Sequence, residues 1–150
     1  MPKLSFDRHV GYSPERMFAL VADLRSYPRF VPNCRAMAVS PDRNAGENVV
    51  FARMTLSFGP VTQGYTSRVT LDAEQGTIDA RATDGPFSYL VSQWRFEPEG
   101  SGTCVRFDID FKISNPLIAA VAEPAFAAKQ TEIMDAFIVE ADRRYGAHVV

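Results

Sequence analysis

The stretch SPERMFALVADLRSYPRFVPNC, residues 13–34, changes character halfway along. Its first half reads as a helix: Ser13 can cap free backbone N–H groups, Pro14 has its φ already set for a first helical position, and Glu15 suits the positive end of the dipole. Met17, Phe18, Leu20, Val21 and Leu24 recur at helical spacing, and Pro28 is expected to end the run. Pro28 and Pro32 each remove a backbone donor and push the preceding residue, Tyr27 or Val31, toward extended geometry. A short second helix or turn over 28–32 is all that fits. Apolar yet too short to carry a core, this segment reads either as a corner plug or as the lip of a cavity.

On either side the pattern is that of strands. Residues 3–10 alternate Leu4, Phe6, Arg8 and Val10 with Ser5, Asp7 and His9, which suits a half-buried strand. From 36 to 112, turn residues at 44–46, 59–60, 74–76, 84–86 and 97–102 punctuate a meander of antiparallel strands. One face carries Val50, Ala52, Met54, Leu56 and Phe58, then Val61, Gln63, Tyr65, Ser67, Val69 and Leu71. It continues through Ile78, Ala80 and Ala82, then Leu90, Ser92, Trp94 and Phe96, and finally Val105, Phe107, Ile109 and Phe111. The opposite face is rich in arginine, threonine and aspartate, so the sheet is solvated on one side and covered on the other.

The cover is a helix opened by Asn115 and Pro116 and running to about Tyr145, with Leu117, Ile118, Val121, Ala125, Ile133, Phe137, Ile138 and Ala141 near helical spacing. Pro124 predicts a kink or break. Residues 116–128 are apolar nearly all round and are expected to lie inside or to close over something apolar, whereas 129–144 are amphipathic. The chain therefore reads as an α+β domain spanning 1–150: a strand, two short helices, six more strands and a long terminal helix gripped by a curved antiparallel sheet of about seven strands. A single cylinder does not fill the concave side of such a sheet, which predicts a hydrophobic cavity with Phe30, Val31 and Pro32 at its entrance.

Composition narrows the function classes. A chain of 150 residues buries roughly two thirds of the surface its unfolded form exposes and needs no staples. Cys34 and Cys104 match no metal or redox spacing and read as reduced thiols of a cytoplasmic protein. Sixteen basic against eighteen acidic residues, a net charge of -2 and no Lys/Arg run argue against a DNA partner. Nothing at the N-terminus resembles a signal peptide, and no window approaches the roughly 20 apolar residues of a spanning helix. No catalytic or metal constellation is expected: His9 and His148 lie at opposite ends, and Asp108 and Asp110 share the solvated face.

Residues 13–34, together with TSRV at 66–69 and GPFSYLVSQWRFEPEG at 85–100, resemble the coenzyme Q-binding START-domain family. This is a branch of the helix-grip, polyketide cyclase-like superfamily that includes ribosome-association toxins. Many relatives carry an aromatic residue where this chain has Asn33. The resemblance implies a non-catalytic carrier that needs no cofactor and holds ubiquinone or another isoprenoid lipid in support of respiration, touching the inner face of the respiratory membrane peripherally and transiently. The expected cavity residues are Tyr27, Phe30, Val31, Pro32, Met54, Leu56, Gln63, Tyr65, Ser67, Val69, Leu90, Trp94, Phe107, Ile109, Leu117, Val121 and Phe137. Among these Gln63, Tyr65 and Ser67, with Ser92, Cys34 and Arg8, are the polar groups available to a quinone carbonyl. Two alternatives stay open: a ribosome-directed protein using Arg53, Arg68, Arg81, Arg95 and Arg106, and a cyclase using cavity shape with Tyr65 and Gln63.

Overall fold

Alternation in the sequence becomes seven strands in one sheet: β1 (Lys3–Val10), β2 (Cys34–Pro41), β3 (Val49–Phe58), β4 (Val61–Asp72), β5 (Thr77–Ala82), β6 (Phe87–Glu99) and β7 (Gly102–Ile113). The computed structural model describes residues 3–42, 48–58 and 61–146. The turns read at 44–46 and 59–60, the side chains of Phe58 and Val61, and the tail with His148 lie outside the described residues. The strand order is β1-β7-β6-β5-β4-β3-β2, with every neighbouring pair antiparallel. Thus β2 to β7 form a meander, and β1 adds to its far side.

The last hairpin is tighter than its composition suggested. β6 continues through Pro98, and only Gly100 and Ser101 turn the chain, with Gly100 at φ 60. Proline is tolerated there because β5 pairs with β6 only as far as Arg95, so at Pro98 the strand has β7 alone for a neighbour.

The helical stretch divides earlier than Pro28. α1 (Pro14–Ala22) is capped by Ser13, whose hydroxyl accepts the Arg16 N–H at 3.2 Å, but it stops at Asp23. There the Asp23 N–H turns back to the Leu20 carbonyl at 3.3 Å, and the Asp23 carboxylate takes the Ser26 hydroxyl at 2.6 Å. Side-chain bonds of this kind compete with helix continuation, and the chain tightens into a 3-10 helix, Leu24–Arg29. The second helix therefore precedes and includes Pro28 instead of occupying 28–32. Asn33 follows at φ 67, a conformation asparagine tolerates better than most residues. Its amide donates to the Ser57 carbonyl at 2.8 Å, and its own carbonyl accepts the Ser57 N–H at 2.9 Å, so it fastens this corner to β3.

α2 (Pro116–Tyr145) starts at Asn115, whose side-chain oxygen accepts the N–H groups of Leu117 and Ile118 at 2.9 and 3.3 Å. It is one helix; Pro124 does not break it. The apolar first turns do not lie inside. Leu117 is 84% exposed, Ile118 55% and Val121 78%. The helix begins to place large side chains against the core at Phe126, and the turns before it are tied down by Glu123, whose carboxylate accepts the Ile113 N–H at 2.8 Å. Further on, Gln130, Met134, Phe137 and Ala141 form the buried stripe. At its end α1 closes over α2: the Tyr12 hydroxyl donates to Asp142 at 2.5 Å, that of Tyr145 to the Arg16 carbonyl at 2.9 Å, and Arg144 pairs with Asp23 at 3.2 Å.

Candidate ligand cavity

The space under α2 follows from small residues on the concave sheet face. Ala52 on β3 pairs with Ser67 on β4, and Ala80 on β5 pairs with Ser92 on β6, where larger side chains would have met the helix. What remains is a cavity of about 130 Å³. Its walls come from the 3-10 helix (Leu24, Tyr27), Val31, Met37 on β2, and Met54 and Leu56 on β3. They continue through Tyr65 and Val69, Ile78, Leu90 and Trp94, Phe107 and Ile109, and Phe126, Gln130, Ile133 and Phe137 of α2.

Phe137 is the hub of the aromatic wall. Its ring centroid lies 5.0 Å from Trp94 and 5.2 Å from both Tyr27 and Phe30, all at steep interplanar angles. Trp94 in turn packs 4.5 Å from Phe107. Such edge-to-face arrangements hold rings rigidly as well as burying area. Phe30 stands outside the cavity, between Phe137 and the Arg144 guanidinium 5.9 Å from its ring. The 26–34 segment is therefore both of the things its sequence suggested: Tyr27 and Val31 are wall, Phe30 is plug.

Tyr65, Ser67, Ser92 and Gln130 bring polar groups to the lining of this apolar space, beside the N–H of Trp94 and the hydroxyl of Tyr27. The Tyr65 hydroxyl reaches only the Met54 sulfur, at 3.8 Å, a weak acceptor, and burial pushes its pKa up to about 12, so it stays a neutral donor. Gly85, at φ 95, backs this residue; a Cβ there would stand 2.5 Å from the Tyr65 Cβ. Tyr27 is different. Its hydroxyl donates to the Val21 carbonyl at 2.5 Å, and burial raises its pKa, so its contribution to the cavity is the ring. Cys34 and Cys104 are free thiols. Burial pushes the Cys34 thiol up, which leaves it a poor nucleophile.

The structure thus brings together Tyr27, Val31, Met54, Leu56, Tyr65, Ser67, Val69, Leu90, Trp94, Phe107, Ile109 and Phe137 from the sequence-derived set. It leaves out five. Phe30 is plug, Pro32 lies off the wall, and Leu117 and Val121 are exposed because α2 has not yet met the sheet at those turns. Gln63 is exposed near the start of β4, and its amide bonds the Gly64 carbonyl at 3.3 Å. Arg8 is drawn to Asp135 at 3.7 Å and does not line the cavity. Gln130 was not foreseen, although Phe126, Gln130, Ile133 and Phe137 follow one another at helical spacing and a glutamine inside such a stripe is itself a signal. Among the described residues no group of His, Cys, Asp and Glu is placed to hold a metal.

Seven antiparallel strands gripping one long helix around an apolar cavity define a helix-grip domain of the START type. The chain belongs to the family of polyketide cyclases/dehydrases and lipid transport proteins, whose model matches residues 10–138. It is 31% identical to the ribosome association toxin RatA of Escherichia coli (strain K12), over 98% of this chain and 91% of that protein. It is 32% identical to the mitochondrial coenzyme Q-binding protein COQ10 of Drosophila melanogaster, over 91% of this chain but 57% of that longer protein. The crystal structure of the Zhui aromatase/cyclase from Streptomyces sp. R1128 superposes with a TM-score of 0.81, covering 99% of both chains at 16% identity, which is a likeness of fold.

Proposed function

We propose that the protein is a non-catalytic carrier that binds ubiquinone or a related isoprenoid lipid in the cavity under α2, serving as a quinone chaperone for respiratory electron transport. The observation that carries this reading is an apolar cavity holding polar side chains with hydrogen-bonding capacity that the protein itself leaves unused. The likeness to a coenzyme Q-binding protein supports it. At about 130 Å³ the cavity matches the scale of one six-membered ring, since a 150 Å³ apolar cavity takes benzene and sites for larger ligands run from about 300 Å³. A bare ring fits it; the substituted headgroup of ubiquinone and its isoprenoid tail need the walls to part, at Phe30 or along the start of α2. Each Å² of apolar tail removed from water then contributes about 25 cal/mol to retention.

The first test is mass spectrometry of organic extracts from protein purified without detergent, beside a folded Val31→Lys variant. Near-stoichiometric quinone or isoprenoid lipid in the parent, depleted in the variant, is the expected result. A parent that is repeatedly empty overturns the carrier and favours the second reading, a ribosome-directed protein, for which the likeness to the toxin along nearly the whole chain speaks. Charge on the convex sheet face speaks against it. Arg53, Arg68 and Arg106 are paired there with Asp84, Asp42 and Glu97 at 3.7, 3.0 and 3.1 Å.

Delivery of a membrane-soluble ligand calls for contact with a bilayer. Among the described residues no helix is long and apolar enough to cross one. The exposed Leu117, Ile118 and Val121 form the apolar turn suited to peripheral contact. A Leu117→Asp, Val121→Asp double variant is expected to lose most co-sedimentation with liposomes while keeping its fold, because neither side chain contributes to the core. Unchanged sedimentation would remove this turn from the mechanism.

A further inference from the structure

We infer that the cavity selects the hydroxyl-bearing, reduced form of its ring ligand, and that Gln130 makes the selection. This rests on the carrier reading above and names the redox form of its cargo. Gln130 is 3% exposed and lines the cavity. Its side-chain amide donates to the Phe126 carbonyl, one helical turn back, at 3.1 Å. That bond sets the orientation of the group, because turning the amide over would set two carbonyl oxygens against each other at the same distance.

The other end of the amide, Oε1, has no partner in the protein. Yet among the described residues no buried side-chain nitrogen or oxygen closed off from the surroundings lacks one. The Gln130 oxygen therefore keeps some accessible surface, and the space that this 3% exposed residue lines is the cavity. That oxygen is an acceptor only.

The remaining polar groups do not discriminate in this way. The hydroxyls of Tyr65, Ser67 and Ser92 rotate and can donate or accept, and the Trp94 N–H donates to a carbonyl or a hydroxyl oxygen alike, so each serves both forms. A quinone presents carbonyl acceptors alone; it can take the second N–H of the Gln130 amide but leaves Oε1 without a donor. A quinol presents O–H groups and satisfies it. Leaving a buried acceptor without a partner is penalised by roughly tenfold or more in affinity, which is the expected preference for quinol over quinone. A carrier with that preference hands its cargo to an enzyme class that oxidises quinols.

Trp94, the single tryptophan, lines the cavity, and its fluorescence is expected to change when the cavity is filled. Lipid-stripped protein is titrated under argon with decyl-tailed ubiquinone, with the quinol made from it, and with the dimethyl ether of that quinol, which keeps the ring but has no O–H. Affinities are read by Trp94 fluorescence and by calorimetry. The expected order is quinol about tenfold tighter than both quinone and ether. Gln130→Leu is expected to erase the difference between quinol and quinone, with Gln130→Met as the second variant should the first fail to fold. Tyr65→Phe is expected to weaken all forms without changing their order.

Equal affinities in the parent, or a preference that survives the Gln130 variants, would overturn the assignment while leaving the carrier reading in place. Saturable binding of none of the three ligands would overturn both.

Discussion

Replacing Phe137 by alanine is expected to remove about 3–5 kcal/mol of folding stability, the range for deleting a fully buried aromatic side chain. Phe137 is 2% exposed, and its ring is held between Trp94, Tyr27 and Phe30. For a domain of this length such a loss lowers the melting temperature by about 10–15 °C. The site adds a feature that an ordinary core position lacks: the ring is also a wall of the cavity, so its removal joins the new void to the existing one. A vacated apolar space gains from being filled, and the variant is accordingly expected to recover a larger share of its stability on saturation with decyl-tailed ubiquinone than the parent gains. Calorimetric melting of both proteins with and without the ligand checks this. Equal ligand-induced shifts in the two would show that the ligand does not occupy the space beside Phe137.

The faces of the strands were legible because alternation has one physical meaning in a sheet covered on one side: Ala52, Leu56, Tyr65, Ser67, Val69, Ile78, Leu90, Trp94, Phe107 and Ile109 all point where their parity requires. Parity does not say where the cover ends. Gln63 has the parity of Tyr65 and Ser67 but lies near the tip of β4 and is exposed. The same limit explains Leu117 and Val121. Apolar character records that a residue tolerates burial, and at the start of α2 the chain offers it no partner. Gln130 illustrates the converse, because apolar spacing says nothing of a polar residue that lies within the stripe. The division of residues 14–29 turned on Asp23 and Ser26, whose side-chain bond is a local alternative to helix that a hydrophobic pattern does not register.

The helix end opposite the exposed turns holds a buried charge, and its loss is expected to be pH-dependent. Glu140 is buried, and it accepts from Arg143 at 2.8 and 2.6 Å and from Arg144 at 2.8 Å. The Arg143 bonds chiefly, helped by Arg144 and opposed by desolvation, hold its carboxyl at about 2, down from an ordinary 4.5. A depressed carboxylate contributes stability that is complete above its unfolded value and is lost as pH falls through its folded one. The stability gap between the parent and Glu140→Gln is therefore expected to be flat from neutral pH down to about 5 and to close between 4.5 and 2. Breaking a well-buried pair costs about 3–5 kcal/mol; with the Arg143 side chain 67% exposed, about 2–3 kcal/mol is expected at neutral pH. Urea titrations at a series of pH values measure the gap, and one that stayed constant to pH 2 would show that the charge of Glu140 is not what stabilises the site. The consequence reaches the cavity, since Arg144 also binds Asp23 and sits over the ring of Phe30. Glu140 thereby holds the cation that holds the plug, and its neutral variant is expected to exchange bound ligand faster than the parent at neutral pH.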